Sequence, residues 1–237
     1  MFRRIPSDHF RNLSPHSAMG EVELLGQSHQ LIIHSVFYFY GDAATGDLST
    51  QIAADIATHW NEPNGIVQIK RETFHVLFDI EGIYMPGLPA DTVWYNTNPR
   101  FNFFRIEEFS VNHISFVDGL KCNTGYFKLD NLLNNSTTAA HEYGHTLGLD
   151  HPQNLDIRGQ GQPGIMYPRG TICDPEYQYD RMALPLQPGG TLNPFTRKVL
   201  QSDIDDLKLH RLSFNHLGFA MLGDFSAIYH EKYLPFI

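Results

Sequence analysis

The sequence predicts an α/β fold of the α+β kind, with helices packed against one mixed, twisted sheet. Three observations carry this. Residues 31–80 read strand, helix, strand, strand; further strand-like runs lead into a histidine-rich string with helical spacing; and 237 residues suffice for one sizeable core.

Taken in order, residues 1 to about 28 are polar and contain Pro, Gly and Ser, which suggests an N-terminal arm, either a plain extension or a latency segment over a cleft. His9, His16 and His29 are scattered without ligand spacing. Leu31–Tyr40 is a continuous apolar run suited to a buried strand, and Gly41-Asp42 with Gly46-Asp47 marks the turn after it. Those aspartates lack the alternating oxygen ligands of a calcium loop, so turn and N-cap roles are expected and a Ca2+ site is unsupported. From Asp47 to about Asn61, Ile52, Ala53, Ile56 and Trp60 fall at helical spacing.

Ile66–Ile69 and Phe74–Ile80 read as strands, followed by a loop whose aromatics, Trp94 and Tyr95, are expected to pack the core. Phe101–Ile106, His113–Val117 and Tyr126–Leu129 are strand-like. Arg169 to about Asn193 reads as loop, Val199–Leu207 as a helix with a Ser/Asp start, and the aromatic stretch Phe214–Ile237 as an extra helix or a cover over part of the core.

A formal charge of −9 argues against nucleic acid as a partner, and no run of eighteen apolar residues offers a membrane span. The first nine residues are basic but lack the apolar core of a secretory signal. Cys122 and Cys173 contain no C-x-x-C pair; a disulfide pinning a cleft rim and two free thiols both stay open.

The string His141-Glu142-Tyr143-Gly144-His145-Thr146-Leu147-Gly148-Leu149-Asp150-His151 is the most specific feature. On a helix, residues i and i+4 share a face, so His141 and His145 can aim imidazoles at one ion with Glu142 beside it. Gly148 can end the helix in a left-handed conformation and return the chain to deliver His151. Three protein ligands leave a fourth zinc position for water, as catalysis requires. Asn135-Ser136-Thr137-Thr138 supplies N-cap candidates, and a chance match to the five fixed positions occurs roughly once in ten million starting points. The ten histidines outside the string carry no comparable spacing.

With Gly164-Ile165-Met166-Tyr167-Pro168 downstream, the chain resembles the metzincin zinc peptidases, whose signature is this string followed by a methionine turn. Tyr167-Pro168 is similar to the matrixin turn, whereas Pro152 after the third histidine is closer to the serralysins. Pro168 occupies the place of the extra tyrosine ligand of serralysins and astacins, so no such ligand is expected. The resemblance is strong from about Asn135 to Pro168 and absent at both ends.

The resemblance implies one catalytic domain over 1–237: an arm to about 28, an upper lobe of sheet and zinc helix over about 29–151, and a smaller lobe over about 152–237. It implies an antiparallel edge strand that pairs with extended substrate, for which Phe101–Ile106 is the first candidate and Tyr126–Leu129 the second. Met166 is expected beneath the histidines, with Tyr167, Pro168 and Arg169 walling the pocket for the side chain after the scissile bond. The expected activity is zinc-dependent hydrolysis of peptide bonds, with Glu142 as general base. A zinc-binding pseudoenzyme or peptide-binding module, and a secreted toxin or effector protease with a narrow target, are the alternatives. The resemblance favours an extracellular site of action; an intracellular protein, a signal outside this sequence and another export route stay open.

Overall fold

The computed structural model describes residues 21–234. Residues 1–20 of the expected arm, with its latency reading and with His9 and His16, lie outside them, whereas Val22–Leu25, expected within the arm, pair with the strand at Gln30–Tyr40 and belong to the sheet. The elements are β1 (Val22–Leu25), β2 (Gln30–Tyr40), α1 (Gly46–Asn61), β3 (Ile66–Ile69), β4 (Glu72–Tyr84), α2 (Ala90–Trp94), β5 (Phe101–Glu107), β6 (Phe116–Val117), β7 (Thr124–Lys128), α3 (Thr138–Thr146), α4 (Gln201–Asp206) and β8 (Phe219–Ala220). They form a mixed α/β architecture around one curled sheet of eight strands in the order β3-β4-β2-β5-β7-β6, with β1 joining β2 to β8. Strands β4, β2, β5 and β7 are parallel, and β3 and β6 add antiparallel edges. Among the described residues, no helix is long and apolar enough to cross a membrane.

The alternation along β2 builds two apolar layers. Leu31, Ile33, Phe37 and Phe39 face the main core, where α1 contributes Ile52, Ile56 and Trp60 and α3 contributes Tyr143. Tyr38 and Tyr40 face the other way, onto Leu88, Val93, Phe101 and Phe103. Helix α1 starts where Thr45 accepts the Leu48 amide at 3.2 Å. Its last turn fixes α3, since Trp60 Nε1 donates to the Ala140 carbonyl at 3.0 Å and the Trp60 ring meets Tyr143 edge-on. Within β2, Ser35 hydrogen-bonds the Tyr143 hydroxyl at 2.8 Å, tying the sheet to the same helix.

Three expectations are corrected. Phe101–Ile106 is not an edge: β5 lies between β2 and β7, parallel to both, and every residue of it is buried. Its polar residues mimic an exposed strand but are satisfied internally, Asn102 by the Arg100 carbonyl and Arg105 by Glu107. Tyr126–Leu129 is interior as well, and the free antiparallel edge is the two-residue β6, inside the run His113–Val117. Of the two states left open for the cysteines, Cys122 and Cys173 are both free thiols, Cys173 being buried against Ile157 and Leu192. Trp94 and Tyr95 are exposed; Val93 is the α2 residue that packs.

The stretch 214–234 covers the second apolar layer without forming a helix. After β8 pairs with β1, Tyr229 stacks on Tyr40, the His230 amide donates to the Tyr40 hydroxyl, and His230 Nε2 lies 2.9 Å from the Asp118 carboxylate. The expected helix at Val199–Leu207 shortens to α4, with Asp203 accepting the Leu200 amide at 2.7 Å. Gln201 bonds both backbone groups of Ile66 and so covers the β3 edge.

Glu21, buried before β1, accepts the Gly223 amide at 3.1 Å. Burial is the main cause that pushes its carboxyl from 4.5 to about 7. The folded state therefore favours the protonated acid, and stability falls as pH rises from 4.5 through 7, by about 3 kcal/mol in all. Glu21→Gln is expected to match wild type in urea denaturation at pH 4 and to exceed it at pH 8 by an amount of that order. Equal stabilities at both pH values would contradict this assignment.

Candidate metal centre

Helix α3 is set up by its first turn. Ser136 Oγ accepts the Thr138 amide at 3.1 Å, whereas the Thr137 hydroxyl donates outward to the Pro194 carbonyl. Tyr143 and Ala140 hold the buried side of the helix in the core, and His141 and His145, one turn apart, both present their rings to His151. At its end, Gly148 takes φ +100°, its amide donating to the His145 carbonyl and the Leu149 amide to the Gly144 carbonyl. This paired bonding closes the helix and turns the chain back. His151 then returns to place Nε2 3.1 Å from His141 Nε2 and 3.2 Å from His145 Nε2.

The backbone fixes the tautomers of the two helical rings. His141 Nδ1 lies 2.7 Å from the Ile165 carbonyl, and His145 Nδ1 2.7 Å from the Leu149 carbonyl. A carbonyl only accepts, so each Nδ1 carries the hydrogen and each Nε2 presents its lone pair to the other rings. Burial, the largest influence on all three histidines, holds their pKa values below the ordinary range, so the imidazoles are neutral near pH 7. Lone pairs converging this closely repel one another unless a cation lies among them. Ligands about 2.0–2.1 Å from a tetrahedral ion are about 3.3 Å apart, close to the two separations seen here. The donor set thus fits a metal ion, and it is the one such cluster of three among the described residues.

Glu142 is buried beside the cluster but is not one of its ligating set. Burial raises its pKa to about 8, opposed by the Arg197 charge and the Val117 amide on β6. A divalent cation next to it adds a further downward pull.

The Gly164–Pro168 segment supports the site from below. Its Ile165 carbonyl orients His141, and Met166 is buried against α3. A Cβ on Gly144 would collide with Met166 Sδ and press on Trp60. Gly144→Ala is therefore expected to lower stability by about 1–3 kcal/mol and to weaken metal binding, read by thermal unfolding and by competition with a chelating dye. Unchanged metal affinity in a folded variant would show that the Met166 contact does not position the histidines.

Beside the histidines lies a cavity of about 170 Å³ lined by Glu142, His141, His151, Pro168, Arg169 and Arg197, with Ile114 and Ser115 from the approach to β6 on the same wall. Of the three pocket residues expected from sequence, Pro168 and Arg169 line it. Tyr167 instead packs its ring towards Ile157, Cys173 and Leu192.

Arg197 is the site residue that sequence reading missed. It is 5% exposed, with Nε donating to Thr137 Oγ1 at 3.0 Å and Nη1 donating to the Tyr167 carbonyl at 3.0 Å. Nη1 also lies 2.9 Å from His141 Nδ1. Because that nitrogen already donates to Ile165, the contact sets a cation against an N–H group, which disfavours imidazolium. No spacing rule links an arginine 46 positions beyond His151 to the motif, and only the return of the 152–200 loop brings it in.

No protein-family model matches the chain, and no curated protein matches it.

Proposed function

We propose that the chain is a zinc-dependent endopeptidase of the metzincin kind. The observation that carries this reading is the convergence of three neutral imidazole nitrogens beside a buried carboxylate that is not one of the converging set, with His141, His151 and Glu142 lining one cavity. His141, His145 and His151 would hold the ion. Three nitrogen donors with a position left for solvent suit zinc in a catalytic role. When bound, zinc supplies Lewis acidity, lowering the pKa of water and polarising a peptide carbonyl.

Glu142 is the acid–base group. Its carboxylate accepts a proton from the attacking water and returns it to the departing nitrogen, and its burial keeps the proton affinity near the range where both transfers run. The free antiparallel edge at β6, beside Glu142, is the place for an extended substrate to pair.

Incubation of the zinc-loaded protein with a random peptide library, followed by mass spectrometry, tests the reading. Cleavage that stops on chelation and returns with added zinc is the expected outcome. Zinc-loaded protein that cuts nothing across the library would reject the peptidase reading in favour of a metal-holding binding module.

A further inference from the structure

We propose that the cavity beside the histidines is a receptor for a carboxylate, so that an acidic side chain, Asp or Glu, is selected at a substrate residue adjoining the scissile bond, with Arg197 and Arg169 as its specificity residues. This rests on the peptidase reading and narrows its substrate class.

Arg197 is the starting point. A guanidinium removed from water is costly unless an anion accompanies it. The fold obeys that rule elsewhere: buried Arg105 pairs with buried Glu107 at 2.6 Å. Arg197 is as deeply buried, yet its hydrogen bonds go to neutral acceptors, the Thr137 hydroxyl and the Pro194 and Tyr167 carbonyls. Among the described residues it forms no ion pair.

Its remaining donor has a place to act. Nη2 makes no hydrogen bond among the described residues, nor is it one of the enclosed polar atoms left without a partner, which are Thr171 Oγ1 and Gln178 Oε1. Arg197 lines the cavity, and exposed Arg169 adds a second guanidinium to the same lining. The one carboxylate there is Glu142, which feels the Arg197 charge but makes no ion-pair contact with it, and which the peptidase reading assigns to the attacking water. The cavity therefore holds two cations for one anion, and a substrate carboxylate balances it with charge-assisted hydrogen bonds to nitrogen donors already in place.

Matched fluorogenic peptides differing only in one residue next to the cleaved bond (Glu, Gln, Leu or Lys), placed on either side of it, test the proposal. Glu is expected to exceed Gln in kcat/KM by about tenfold or more on one side of the bond, and Lys to be the poorest. Arg197→Met should abolish the Glu-to-Gln ratio, and Arg169→Gln, at an exposed position that does not endanger folding, should shrink it severalfold. General damage to fold or metal site lowers both rates together and leaves the ratio intact. A ratio near one in wild type, or a full ratio in folded Arg169→Gln and Arg197→Met, would overturn the proposal. Should no peptide be cut, the peptidase reading fails separately. Fluorescence anisotropy of the same peptides on zinc-loaded wild-type protein then decides the receptor: tighter binding of the Glu peptide upholds it, and equal binding of Glu and Gln peptides overturns it.

Discussion

Glu142→Gln is expected to keep a full equivalent of zinc while its peptide cleavage falls by about 10²–10⁴-fold, the usual contribution of a positioned general base. The amide fits the space of the carboxylate, and Glu142 lies outside the ligand cluster, so the loss of cleavage does not come from lost metal. Removing a buried carboxylate of raised pKa also removes a desolvation cost, so the variant should be at least as stable as wild type. Metal analysis, thermal unfolding and progress curves on one preparation read all three quantities. A variant that cuts at the wild-type rate would remove Glu142 from the chemistry, and one that loses its zinc would make it a ligand.

His145→Ala is expected to have the second large effect, on metal and stability together. His145 supplies one of three Nε2 donors, and its Nδ1 hydrogen is fixed by the Leu149 carbonyl in the turn that delivers His151. Loss of this ring leaves two donors and loosens the return of the chain. Because binding to the folded state alone stabilises by mass action, wild type at zinc a thousandfold above Kd should gain about 4 kcal/mol, a gain that chelation removes. The variant should show little response to either zinc or chelator. Calorimetry with and without zinc checks this, and a zinc-dependent rise in Tm equal to that of wild type would contradict it.

Local order was legible where one residue pattern had one physical cause. Leu31–Tyr40 announced β2 by its apolar run, and Ile52, Ala53, Ile56 and Trp60 announced α1 by their spacing. The positive φ of Gly148 followed from the need to turn the chain between two ligands. What failed were inferences about neighbours. The resemblance implied an edge strand at Phe101–Ile106, but β5 lies inside the sheet, where Asn102 and Arg105 find partners in the Arg100 carbonyl and Glu107 that local spacing does not reveal. Tyr167 was placed on the pocket wall by analogy, but alternate residues of a tight turn point to opposite sides, and its ring joined Cys173 and Leu192. Arg197 carried no signal at all, since its role arises from closure of the long loop onto α3. The element order could be read from local spacing, whereas the charge balance of the cavity is a property of contacts distant in sequence.

His141, His145 and His151 are expected to hold one ion jointly and to leave room for solvent. X-ray absorption at the zinc edge, on protein reconstituted to one ion per chain, tests it most directly. Three imidazole nitrogens and one or two solvent oxygens are predicted for wild type, falling to two imidazoles in His151→Ala. A shell completed by a fourth protein ligand, a sulfur contribution from either cysteine, or an imidazole count untouched by the His151 substitution would contradict the account.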